Sequence, residues 1–277
     1  MKNLLVTVSG GRSSAMTARI IQTHEKYKSF NKIYVFANTG QERIETINFL
    51  KNIIKYWKID LKIVEARCNL EMNKGVEFEV MKDLDNISMN SEPFEEVIRH
   101  KNKGVFKGLP NPEAPYCSEL LKTIPCKKYA DSVFGTNNYI ISIGYRKEDM
   151  PKRITFAEIK EDKKRIYPLI TDFDYPIGYN ELTSFFEKEL FQLMISSKLG
   201  NCELCWKKGD KTLYENINYS SRTIDWWRKM ENETGTTSFR DNRSIDDLIR
   251  EAKEQLIQTN PFDEFKEDDE DRCVCAF

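Results

Sequence analysis

Four cysteines come in two close pairs, Cys202-x-x-Cys205 and Cys273-x-Cys275, and together they supply the four thiolates that a tetrahedral zinc ion or an iron–sulfur (4Fe-4S) cluster takes. The other three, Cys68, Cys117 and Cys126, are scattered, and Cys68 and Cys126 read as reduced, buried thiols. An odd, uneven set of seven fits metal or redox chemistry better than the disulfide framework of a secreted protein. His24 and His100 are the only histidines, which disfavours a multi-histidine zinc site or a histidine-centred triad. A second constellation is Ser9-Gly10-Gly11-Arg12-Ser13-Ser14. Glycines between a strand and a helix let backbone N–H groups approach a phosphate, Ser9 and Ser14 add hydroxyls, and Arg12 adds charge. The spacing is neither that of a Walker A loop nor that of a dinucleotide fingerprint. These residues alone read as an anion-binding loop or as a tight turn closing a βα unit.

The elements that position these groups alternate. Residues 3–8 are strand-prone, Ala15 to Ile21 are helix-compatible, Lys32 to Asn38 reads as a buried strand, Glu42 to Trp57 as a helix and Ile59 to Val64 as the next strand. Tyr139 to Tyr145 reads as another. This order predicts an α/β fold, a parallel sheet with helices on both faces. Between about Asn69 and Pro115 the periodicity fades, as expected of an active-site insertion. Tyr179 to Ser197 places Leu182, Phe185, Phe186, Leu190, Leu193 and Met194 at helical spacings and predicts one amphipathic helix with a core-facing stripe. Ser244 and Asp247 resemble a capping box, and the helix they start is barred from extending by Pro261. Asp263 to Arg272 reads as a solvated acidic tether. The expected organisation is a nucleotide-binding domain over 1–175 and a helical, cysteine-rich region with the acidic tail over 176–277.

Ser9-Gly10-Gly11-Arg12-Ser13-Ser14-Ala15 resembles the PP-loop of the adenine nucleotide α-hydrolase-like superfamily. Further stretches agree in order: Val35 to Gly40 with Glu42, Leu109 to Pro112, Tyr116 to Lys122, Ile143 to Arg146 with Asp149 and Arg153, and Gly200 to Cys205. Together they resemble the phosphoadenosine phosphosulfate (PAPS) reductase-like branch, including members from phages and mobile elements. The resemblance implies a PP-loop, HUP-like sheet with ATP or a PAPS-like adenine nucleotide over the strand C-termini. By position, Ser9, Gly10, Gly11 and Ser14 would hold phosphate. Asn38, Thr39 and Gly40 would lie near the adenosine, and Lys122 and Arg146 would stabilise charge on the transferring phosphate or sulfate. Position 13 is Ser where the pyrophosphatase branch has Asp, which weakens the case for Mg²⁺-assisted cleavage of ATP and shifts weight toward phosphosulfate chemistry.

Two ligand sets follow for the cysteines. In the first, Cys202, Cys205, Cys273 and Cys275 close a metal site that pins the tail, with Cys117 outside it near the nucleotide; this set is preferred. In the second, which the spacing of Cys117 from Cys202 shares with cluster-containing sulfonucleotide reductases, Cys117 joins Cys202, Cys205 and one tail cysteine, leaving the other as a nucleophile. Lys207 and Lys208 could face a polyanion, and Trp226 and Trp227 read as core rather than as a base-stacking platform. With 43 Lys and Arg against 44 Asp and Glu, no sequence-wide field draws the chain to nucleic acid or membrane. The opening apolar run is too short for a signal peptide or a span. A cytoplasmic enzyme is therefore expected, forming homo-oligomers and acting on a small-molecule nucleotide at its α-phosphate or sulfate linkage. Two alternatives stand beside it: ATP-dependent sulfuration or adenylation of a nucleic acid with a sulfur-donor protein, and a non-catalytic nucleotide sensor in phage–host conflict.

Overall fold

The computed structural model describes residues 2–68, 75–100, 108–196, 198–220 and 222–258. Cys273, Cys275 and the acidic stretch lie outside the described residues. The chain is an α/β protein built on a six-stranded sheet of order β4-β3-β2-β1-β5-β6. The strands are β1 (Asn3–Thr7), β2 (Asn31–Asn38), β3 (Leu61–Cys68), β4 (Val76–Met81), β5 (Ile140–Ser142) and β6 (Arg165–Ile166). All pairings are parallel except β3 with β4.

Alternation along the strands sends neighbouring side chains to opposite faces. Leu4, Val6, Tyr34, Phe36, Leu61 and Ile63 join one core cluster, whereas Leu5, Val35, Ala37 and Val64 join another. The first face is covered by α1 (Arg12–Thr23) and α2 (Ile44–Trp57), and the second by α4 (Ile124–Phe134), whose Cys126 and Ala130 are fully buried. A separate cluster gathers α3 (Glu92–His100), α8 (Asp210–Ser220), α9 (Ile224–Thr234) and α10 (Ile245–Gln258) beside the end of β3. The short helices α5 (Phe156–Glu161) and α6 (Pro168–Thr171) flank β6.

Helix α7 (Tyr179–Glu187) ends well before Ser197. From 191 to 195 the burial alternates, with Phe191, Leu193 and Ile195 inside and Met194 80% exposed. Leu190 is 83% exposed, so neither it nor Met194 faces the core. The expected single helix is thus a short helix followed by an irregular segment, in which burial of Phe191, Leu193 and Ile195 prevails over the helical spacing. Leu182, Phe186 and that segment pack into the same cluster as α1 and α2, so the chain beyond residue 175 shares a core with the loop helix.

Candidate functional site

In the sheet, β1 lies between β2 and β5, and the chain steps outward from it in both directions. The C-terminal ends of β1 and β5 therefore flank the crevice where open α/β sheets bind ligands. The loop after β1 occupies this crevice. Gly10 has φ +80°, and a Cβ there would stand 2.4 Å from Thr46 Cγ2 on α2, so the backbone passes where no side chain fits. Gly11 is the N-cap of α1, with no side-chain cap and no acidic residue in the first turn. The first backbone hydrogen bond closing α1 runs from Ala15 N to Gly11 O, leaving the N–H groups before it available to an anion.

The serines organise the loop. Ser9 N and Ser9 Oγ both donate to Ser14 Oγ at 3.0 Å, and Ser14 Oγ donates to Gly11 O at 2.9 Å. Arg12 turns away from the crevice and donates through Nη2 to Leu193 O at 3.2 Å, so its guanidinium braces the segment after α7 instead of adding charge to the loop. Ser13 contributes its carbonyl to Thr17 Oγ1. On the β5 side, Gly144 packs so closely on Ser14 that a Cβ would approach its backbone within 3.2 Å, which carries the following loop past the start of α1. There Arg146 Nε stands 3.5 Å from Glu148 Oε2, and Arg153 pairs with Asp149 at 3.0 Å.

The stretch after β2 folds inward. Asn38 is fully buried: its amide nitrogen donates to Glu65 Oε1 and Ser88 O, and its oxygen accepts from Gly40 N. With every one of these groups engaged inside the fold, Asn38 shapes the loop rather than offering an amide to adenosine. Thr39 donates from N and from Oγ1 to the Glu42 carboxylate at 3.0 Å, and Thr39 Oγ1 also lies 3.4 Å from Cys202 Sγ. Glu42 is excluded from solvent, and Lys122 Nζ stands 3.7 Å from it.

Lys122 belongs to a π-helical turn, Glu119–Thr123, that runs into α4, closed by Ile124 N on Glu119 O. Such wide turns recur at functional sites because they shift side chains off the α-helical register. This one puts Cys117, Ser118, Leu121 and Lys122 on the wall of a cavity of about 20 Å³ that Cys202 and Cys205 also line. The three cysteines thus meet in one place, without a disulfide. Among the described residues no three His, Cys, Asp or Glu side chains stand close enough to hold a metal ion as they are.

The loop bearing Cys202 is held from several directions. Lys208 is buried and donates to the carbonyls of Gly200 and Glu203, which uses its ammonium inside the protein; the expectation that it faces a polyanion fails for that reason. Lys207 donates to Ser118 Oγ at 2.8 Å and sits over the Trp206 ring. Arg222 Nη2 donates to Glu42 O at 2.6 Å and Gly40 O at 3.3 Å, while its Nε pairs with Glu203 at 3.0 Å. Trp226 and Trp227 pack with Phe94 and Phe239 in the helical cluster, the core role expected of them. Cys126 is fully buried and burial pushes its thiol up; Cys68 is pushed up to about 11 by burial and by Glu96. Cys126 is thus the buried thiol expected, whereas Cys68 is only partly buried.

Against this geometry, no family model matches the chain. The sequence is 28% identical over 212 residues to the uncharacterised nin region protein ORF290 of Escherichia phage lambda, spanning 76% of this chain and 67% of that one. That relative is a phage protein, in keeping with the resemblance to phage members of the PAPS reductase-like branch. Among solved structures, the U34-tRNA thiolase NcsA from Methanococcus maripaludis, solved with its 4Fe-4S cluster, aligns over 96% of this chain and 76% of its own, at 15% identity and a TM-score of 0.41. No helix among the described residues is long and apolar enough to cross a membrane.

Sequence reasoning missed Gln41, Glu65, Trp206 and Arg222. Gln41 falls within the stretch matched to the family, between Gly40 and Glu42, yet nothing in its type distinguished it. Arg222 and Glu65 act through loops and backbone carbonyls that no local pattern reveals.

Proposed function

We propose that this chain is a PAPS reductase-like enzyme that holds an adenine nucleotide, ATP or a sulfonucleotide, on the loop between β1 and α1 and acts at its α-phosphate or sulfate linkage. The observation that carries the reading is the uncapped start of α1 at the sheet crevice, on the same strand-end edge as the thiol cavity. The N–H groups at the start of α1 would take the phosphate, with Arg146 from the loop past Gly144 as the cation beside it. Lys122 would act from the π-turn, balancing charge as the linkage breaks.

Cys117, Cys202 and Cys205 are the proposed thiolates of a metal centre, zinc or an iron–sulfur cluster, with a tail cysteine as a fourth ligand. This replaces the tail-pair set preferred on sequence, since Cys117 shares the cavity with the C-x-x-C pair. A bound centre would supply redox or Lewis-acid capacity. For Mg²⁺, the first turn of α1 offers no carboxylate.

The test is calorimetric titration with ATP, adenosine phosphosulfate and PAPS. At least one should bind the wild type and bind the Gly10→Ala variant roughly tenfold or more weakly, since the loop backbone must shift. No heat from any of the three, or equal binding by the variant, would overturn the reading.

A further inference from the structure

The loop that carries Arg146 sets a carboxylate beside the cation. Arg146 Nε stands 3.5 Å from Glu148 Oε2, longer than the roughly 2.7–2.9 Å of a charge-assisted hydrogen bond. Glu148 is held instead by the start of α7: its Oε1 accepts from Tyr179 N at 2.8 Å, and Lys147 N donates to Ile177 O at 2.9 Å. Gly178 makes room for this, since a Cβ there would stand 2.7 Å from Glu148 Oε1 and push the carboxylate away. The Arg146 backbone is fixed as well, because Asp149 Oδ2 accepts from Arg146 N at 2.9 Å while Asp149 Oδ1 pairs with Arg153. The side chains of Arg146 and Glu148 are 16% and 18% exposed, so a ligand can reach both.

An oxyanion taken side-on by the Arg146 guanidinium reaches Nε, the atom that Glu148 faces. A carboxylate only accepts hydrogen bonds, and its two oxygens have lone pairs beyond the one engaged by Tyr179 N. A terminal phosphate, with a second pKa of about 6, can keep a proton and donate it to that carboxylate. A sulfate has no proton to give and meets Glu148 as charge against charge. We propose that Glu148 is a specificity-determining residue, selecting at Arg146 a terminal phosphate over a sulfate. This rests on the nucleotide reading given above, with Arg146 beside the phosphate, and chooses within it: the ligand is a nucleotide ending in phosphate rather than a sulfonucleotide. The competing explanation is a plain ion pair, which either anion would break alike.

ADP and adenosine 5′-phosphosulfate test this as a pair, because they differ only in the terminal group and protonated ADP carries the charge of the phosphosulfate. In calorimetric titration of the full chain at about pH 6, near the second phosphate pKa, the wild type should bind ADP roughly tenfold or more tightly. Glu148→Gln keeps a carbonyl for Tyr179 N and offers the ligand an N–H. Its preference should fall to roughly twofold or less, chiefly through tighter binding of the phosphosulfate. ADP methylated on its terminal phosphate has no proton to give and should bind the wild type as weakly as the phosphosulfate, a comparison that needs no variant to fold. Equal binding of ADP and the phosphosulfate by the wild type, a preference kept in full by Glu148→Gln, or methylated ADP bound as tightly as ADP would each overturn the proposal while nucleotide binding stands. A wild type that binds neither ADP nor the phosphosulfate would overturn the nucleotide reading and the proposal with it.

Discussion

Thr39 Oγ1 lies 3.4 Å from Cys202 Sγ, although the two residues are 163 positions apart. Through this contact the turn after β2 and the C-x-x-C segment form one unit. The Glu42 carboxylate binds Thr39 from below, Lys122 approaches Glu42 from the π-turn, and Arg222 ties the Glu42 carbonyl to Glu203. Movement of either segment is therefore felt by the other.

Glu42 is the member whose loss should be felt most. Removing its carboxylate strips the Thr39 N–H and hydroxyl of their acceptor and takes away the buried carboxylate that Lys122 approaches. Glu42→Ala is expected to lower stability by about 3–5 kcal/mol in urea unfolding. A loss below about 1 kcal/mol would show that solvent reaches the cluster.

Gly10 tests the loop from the other side. Gly10→Ala should cost about 2–3 kcal/mol, because it combines a positive φ with a Cβ 2.4 Å from Thr46 Cγ2. Adding Thr46→Ser removes that methyl and should recover the steric part, leaving the backbone part of about 1 kcal/mol. A double-mutant cycle showing no coupling would contradict the close approach.

The alternation of strand and helix was legible because buried parallel strands and amphipathic helices write their periods into the sequence, as at Asn31–Asn38 and Ile44–Trp57. Strand β4 was not, since Val76–Met81 is an antiparallel edge with only Val76 buried. The segment after Glu187 misled because Leu190, Leu193 and Met194 fit a helical period while Phe191, Leu193 and Ile195 fit an extended one, and only packing decides between them. At the site, residue types gave the loop and the cysteines. Gathering Cys117 with Cys202 depends on the π-turn and on the pairing of Glu203 N with Gln41 O, which are tertiary facts.

Arg222 clamps three groups at once, donating to Glu42 O and Gly40 O and pairing with Glu203. Arg222→Met should destabilise by about 2 kcal/mol, the value of charge-assisted bonds reduced for the partial exposure of the guanidinium. It should also speed alkylation of Cys202 and Cys205 by iodoacetamide, followed by mass spectrometry. Unchanged alkylation would mean that the loop is held without the clamp.

Stability should depend on pH through Glu231. Burial, followed by repulsion from Asp246 and Asp247, pushes its carboxyl up to about 7 from an ordinary 4.5, against the opposing donation from Ile245 N. A folded pKa above the unfolded value means that the folded chain binds the proton more tightly. The stabilisation is therefore complete below pH 4.5 and is lost as the pH rises through 7. Glu231→Gln should lack this decline, so the variant should melt about 2–6 °C higher than the wild type at pH 8 and converge with it near pH 5. Parallel melting curves across that range would contradict the assignment.

The metal reading proposed above puts Cys117, Cys202 and Cys205 in one centre, since all three line the same cavity. Its most direct test is the iron, sulfide and zinc content of the protein purified without oxygen, for the wild type and for Cys117→Ser and Cys202→Ser. A stoichiometric metal is expected in the wild type and should be lost or sharply reduced in both variants. Metal retained in full by Cys117→Ser but lost from Cys202→Ser would contradict it and return the site to the two cysteine pairs.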